Sequence, residues 1–173
     1  MNAFYNMTLI AFASGLLLLL PGCMDNKNSA QLEANKAMMQ AYADGFNARD
    51  WEELKTLFAA DYDYVTTPGV EGPDGLVEYL KGLADGFDAK FELVDVVAEG
   101  NKVAFHGKAS GTHVRDFGGI PATGKAFNLN AVGIVTIKEG KIASEVEVFE
   151  ELQLMQLIGA MPEQPSEPAA AGE

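Results

Sequence analysis

The stretch "EVEVFEE", residues 145–151, places four glutamates in seven positions. In a strand, side chains alternate between faces. Ala143, Glu145, Glu147 and Phe149 then share one side, and Ile142, Ser144, Val146 and Val148 share the other. Glu145 and Glu147 would sit about 6.6 Å apart along the strand. On a wet face they are solvated and inert. Lining an apolar cavity, they would repel one another and lose hydration, which raises at least one pKa. A carboxylate poised in that way can serve as a general base. Both faces of the segment carry apolar residues, so alternation alone leaves the choice open. Glu150 and Glu151 fall where the strand gives way to a final helix, and acids in a first helical turn oppose the helix dipole favourably.

Other side chains with chemical potential are fewer. Tyr62 and Tyr64, in "DYDY", can donate to a ligand oxygen or simply bury a ring with a wet tip. His106 and His113 are the only histidines, and Cys23 is the only cysteine. No spacing among them suits a metal, so no metal site is expected. By parity His106 joins Lys108, Ser110 and Thr112 on a solvent face. His113 joins Val103 and Phe105 on the apolar one. His113 reads either as a hydrogen-bonded histidine at a strand end or as a polar group at a pocket mouth. "GIPATGK" approaches a phosphate loop through Gly119, Gly124 and Lys125. Ala126, however, stands where a hydroxyl should hold magnesium, and a strand follows instead of a helix. No G-x-S-x-G nucleophile turn occurs.

The elements that must position these residues follow from periodicity. Ala34, Met38, Met39, Tyr42 and Phe46 recur at helical spacing over residues 31–48. Asp50 can cap a short second helix, "WEELKTLF". "DYDYVTT" is strand-like, "PGVEGPDG" a loop, and "LVEYLKGLADGF" a third helix with Gly86 near its end. Four strand-like segments follow at 89–97, 101–113, 126–138 and 141–149, with "EGN" and "KEG" at two turns. "LQLMQLIG" is a closing helix with Gly159 at its stop. Helices segregated from an antiparallel meander give an α+β class. A long curved sheet wrapped on amphipathic helices would enclose an apolar pocket.

Charge and composition narrow the partners. Twenty-five acids against twelve bases give a net charge of −13, which disfavours phosphate backbones, so no nucleic-acid partner is expected. At the N-terminus, "LIAFASGLLLLLPGC" is a signal-peptide core ending in a box that resembles that of bacterial lipoproteins, with Leu20, Gly22 and Cys23 as the lipid-accepting residue. This predicts a signal peptide over 1–22, the lipidated cysteine and a polar tether over 23–31, a folded domain over 32–160 and a disordered tail over 161–173. The mature protein is expected in the cell envelope. It would face the periplasm and contact the membrane only through its anchor.

Taken in order, "YADGFNARDWEELKTLFAADY", the G-x-H pair Gly111 and His113, the turn Gly119, Ile120, Pro121, Thr123, Gly124, the hairpin Gly140, Lys141, Ile142, and "LMQLIG" make the chain similar to the SnoaL-like polyketide cyclases. These belong to the wider nuclear-transport-factor-2-like superfamily. The resemblance implies a cone-shaped α+β fold, often dimeric, with an interior pocket. It implies acid/base chemistry without a cofactor on a small hydrophobic carbonyl compound. The family's catalytic aspartate position is here Glu147, one methylene longer, and its G-x-H histidine is His113. A frequent histidine two positions before the aspartate is here Glu145. Glu147 and His113 are thereby the expected catalytic pair, and Glu145, Tyr62, Tyr64 and Phe149 the expected substrate contacts. Three functions remain open: a cyclase- or isomerase-like enzyme, a small-ligand-binding lipoprotein, or an envelope interaction module using the open sheet face.

Overall fold

The computed structural model describes residues 22–161, with side chains from residue 28 onward. The apolar leader, the side chain of Cys23 and nearly all of the C-terminal tail lie outside the described part.

The elements are α1 (Gly22–Ala48), α2 (Trp51–Lys55), β1 (Phe58–Tyr64), α3 (Gly72–Phe87), β2 (Lys90–Glu99), β3 (Lys102–Thr112), β4 (Ala126–Lys138), β5 (Lys141–Phe149) and α4 (Glu151–Leu157). One curved five-stranded sheet runs in the order β1-β5-β4-β3-β2. Only the β1–β5 pair is parallel; the others are antiparallel. The class is α+β, as the segregation of helices from the meander requires.

Local chemistry explains the boundaries. Helix α1 stops at Arg49, whose backbone is left-handed, and Asp50 accepts a hydrogen bond from the Glu53 backbone N–H to cap α2. Glu139 and Gly140 both have positive φ, which gives the tight β4–β5 hairpin the twist it needs. Several details depart from expectation. Helix α2 stops at Lys55 and Phe58 already opens β1, β1 ends at Tyr64 and leaves residues 65–67 outside it, and α3 starts at Gly72, inside the expected loop. Residues 24–31, read as an irregular tether, continue α1 as helix from Gly22. The left-handed residue ending α3 is Asp88; Gly86 lies within the helix and lets the Phe117 ring pack close to it.

The concave face of the sheet holds the core against α1 and α3. Asn47 fastens the first helix to β2: its side chain donates to the Phe91 carbonyl at 2.7 Å and accepts from the Phe91 N–H at 2.9 Å. Inward glycines let aromatic rings lie flat on the sheet. A Cβ at Gly133 would meet the Phe105 ring at 2.5 Å, and one at Gly107 would meet Phe91 at 2.2 Å. The convex face is different. There Val132 lies opposite Val148 and Ile134 opposite Val146, all four exposed.

Strand β5 breaks simple alternation. Thr136 pairs with Ser144, but Ile137 pairs with Ile142, so Ala143 is an extra, unpaired residue. The bulge turns Ile142 inward together with Glu145. The parity that set Ile142 on the face opposite the glutamates is therefore corrected.

Candidate functional site

Between the helices and the concave face lies a cavity of about 220 Å³. Its wall is aromatic and aliphatic: Tyr42 and Phe46 from α1, Tyr79, Leu83 and Phe87 from α3, Phe91 from β2, and Phe127 and Leu129 from β4. Leu154 and Met155 of α4 close one side. The ionisable groups on the wall other than tyrosines are Glu147, Glu151 and Lys90.

Both acids of the β5 pair face inward, and their environments diverge. Glu147 reaches the cavity wall, and the Tyr64 hydroxyl donates to its Oε2 at 2.5 Å. Burial raises its pKa, while the Tyr64 hydrogen bond works in the opposite direction. Glu145 is only 2% exposed and does not line the cavity. Tyr62 donates to its Oε2 at 2.9 Å, and among the described residues its buried Oε1 has no partner. Burial first, and the charge of Glu147 second, push the Glu145 carboxyl up to about 8. Tyr62 opposes that shift by favouring the anion.

The tyrosines follow the same division. Tyr64 is on the wall, 6.0 Å ring to ring from Tyr79. Tyr62 is buried behind it and packs edge-on against Phe58 at 4.8 Å. Asp61 and Asp63 point outward, as strand alternation requires. Of the expected substrate contacts, Tyr64 and Phe149 border the cavity with Glu147, and Glu145 and Tyr62 do not. Their place as substrate contacts is corrected: Glu145 faces inward as alternation with Glu147 requires, but its carboxyl ends in the core, where Tyr62 covers it.

His113 is corrected as well. It is fully buried and is not on the cavity wall. Its ring stacks on Phe87 at 4.9 Å, and its Nδ1 lies 3.3 Å from the Thr123 hydroxyl. Its backbone N–H donates to the Lys125 carbonyl, and its carbonyl accepts from Gly124 N–H, both at 2.9 Å. The "GIPATGK" segment thus clasps the end of β3, with positive φ at Gly119 and Gly124. Ala126 opens β4, so this turn leads into a strand, as expected. His113 positions Phe87, which does line the cavity.

Sequence reasoning passed over Tyr42, Tyr79 and Phe91. Each fits the pattern of an ordinary core residue. For Tyr42 and Tyr79 the usable signal was a hydroxyl on the core face of an amphipathic helix, which needs either a buried partner or a cavity.

A family model described as SnoaL-like polyketide cyclase matches residues 36–158, from the middle of α1 to the end of α4. The chain belongs to this family. Among solved structures, TsrD from Streptomyces laurentii aligns with this SnoaL-like chain at a TM-score of 0.69 and 26% identity, covering 75% of this chain and 97% of that one. A structure named as a SnoaL-like polyketide cyclase from Jannaschia sp. CCS1 aligns at a TM-score of 0.68 and 20% identity, covering 76% and 95%. At that identity the second likeness shows the fold alone. No curated protein matches the sequence.

Proposed function

We propose that this SnoaL-like domain is a cofactor-independent general acid/base enzyme acting on a small hydrophobic carbonyl compound. We propose further that a lipid on Cys23 holds it at the cell envelope, facing the periplasm. The observation that carries the catalytic reading is Glu147, a carboxylate set in an aromatic wall with its pKa raised by burial. A base is most effective when its pKa lies close to the working pH, and burial moves Glu147 in that direction.

Ionised Glu147 takes a C–H proton next to the carbonyl. The electron pair moves onto the carbonyl oxygen and gives an enolate. Once Glu147 carries the proton it is a poorer acceptor, so the Tyr64 hydroxyl is released to donate to the enolate oxygen. Glu147 then returns the proton at a second carbon, or the enolate carbon closes onto a second carbonyl whose oxygen takes that proton. Among the described residues, Glu147 and Glu151 share the wall with one cation, Lys90, which favours an uncharged substrate over an anion.

Replacing Glu147 with Gln tests the reading. Turnover should fall at least about 100-fold, the usual scale for losing a positioned base. Ligand affinity should change only a few-fold, because Gln keeps the shape. Full activity in E147Q would remove the base assignment. A bound ligand that the unaltered protein never converts would instead support the small-ligand-binding lipoprotein.

A further inference from the structure

Glu145 has no part in the proton abstraction just described, yet the fold goes to some length to bury it. Its Oε2 is held by Tyr62 at 2.9 Å, and its Oε1 has no partner among the described residues. The groups around it come from three elements and its own strand. β1 supplies Tyr62 and Tyr64, α1 supplies Tyr42, and β5 supplies Glu147. β4 sets Val135 directly opposite. None of these is a cation.

A bare anionic oxygen in such surroundings is costly, because an isolated buried charge lacks both hydration and a counter-ion. A second anion two residues along the same face raises the cost further. A neutral carboxylic acid at this position avoids both penalties and still accepts from Tyr62. Bulk solvent does not reach the group, since Glu145 is almost wholly covered.

We propose that Glu145 keeps its proton at neutral pH and is a positioning residue whose neutrality leaves Glu147 as the single negative charge of the Tyr62–Glu145–Tyr64–Glu147 cluster. Its importance to a reaction rests on the reading of Glu147 given above; its protonation does not. In mild alkali Glu145 gives up that proton to solvent. Two like charges then face each other on one strand, and the environment that tunes Glu147 is lost.

Infrared difference spectroscopy of the full chain tests this without any substrate. Spectra are taken between about pH 6 and about pH 9.5, a window in which ordinary surface carboxyls are already ionised. The expected result is a protonated-carboxyl C=O band that disappears around pH 8. It should be absent in E145Q and present in E147Q. In Tyr62→Phe the band should persist to higher pH, because the lost hydrogen bond favoured the anion; a merely structural role for Tyr62 would not move it. No such band in the unaltered protein near pH 7 would overturn the proposal. So would a band that survives in E145Q but vanishes in E147Q, which would place the proton on the other acid. Turnover by E147Q decides the catalytic reading separately, so the two can fail independently.

Discussion

Glu145 and Glu147 are one step apart on the inner face of β5 and each accepts from a tyrosine, but only Glu147 also meets the cavity. The difference has a thermodynamic consequence. An ordinary glutamate titrates near 4.5, and folded Glu145 near 8. Below the first value both folded and unfolded chains hold the proton, and burial carries no penalty. Between the two, only the folded chain holds it, so stability falls as pH rises, by at most about 1.4 kcal/mol per pH unit. The loss is complete above the folded value. E145Q has nothing to ionise. We expect it to be the more stable form near pH 9, by roughly 1–3 kcal/mol, with the full linkage discounted because the amide leaves its own buried groups unpaired. Urea denaturation of both proteins at about pH 6 and about pH 9 measures this. Parallel pH slopes for the two proteins would mean that residue 145 holds an ordinary carboxyl.

At the scale of elements, the turns were the most legible part of the sequence. "EGN" and "KEG" marked turns, and the structure makes them with positive φ at Gly100, Glu139 and Gly140. Asp50 announced the start of α2 but not its end: the helix stops at Lys55, and Phe58, expected to be helical, opens β1. The orientation of β5 could not be read. Alternation assumes an unbroken ladder, and Ala143 interrupts it, so no count of apolar residues could have paired Ile142 with Glu145 on one face. Nor does periodicity distinguish an inward side chain that meets another from one that meets space, which is why Tyr42 and Tyr79 read as plain core. Resemblance singled out Glu147 because it fixed an order of motifs, and that side chain lines the cavity. It did less well for His113, whose ring serves the wall from behind. The bulged strand also depends on close approach. Gly133 sits opposite Glu147, and a Cβ there would meet the Phe105 ring at 2.5 Å and the Val146 carbonyl at 2.9 Å. Gly133→Ala should therefore overpack the sheet and destabilise the fold by about 1–3 kcal/mol. Thermal denaturation would register this as a drop of several degrees, and an unchanged midpoint would show that Phe105 has room to yield.

For the whole molecule, the two faces of the sheet have opposite characters. The concave face encloses the cavity. The convex face of β3, β4 and β5 exposes Val132, Ile134, Val146 and Val148, with Lys102, His106 and Lys108 beside them; acids stand at its borders, where Glu99, Asp95 and Glu92 of β2 lie opposite those three and Glu150 accepts from the Asn130 side chain. In a chain of net charge −13 this uncharged strip is where two copies can meet with their acids kept to the margin. We propose a homodimer through that face. Native mass spectrometry of the protein taken from its own envelope fraction checks three proposals at once. We expect a two-chain mass, an added acyl mass on each N-terminal Cys23, and a small uncharged molecule retained in the cavity. A single unacylated chain with nothing bound would count against the dimer, the anchor and the ligand together.

The parallel pairing of β1 with β5 carries a consequence for how the protein comes into being. Tyr62 and Glu145 are 83 positions apart in the chain. β1 leaves the ribosome early, lies at the edge of the sheet and has β5 as its only strand neighbour there. β5 is the last strand to be made. Until it slides between β1 and β4, the tyrosines have no carboxylates and the wall has a gap. A product of translation that stops before β5 has neither carboxylate, so the growing chain acquires them only after every other strand of the sheet has been made.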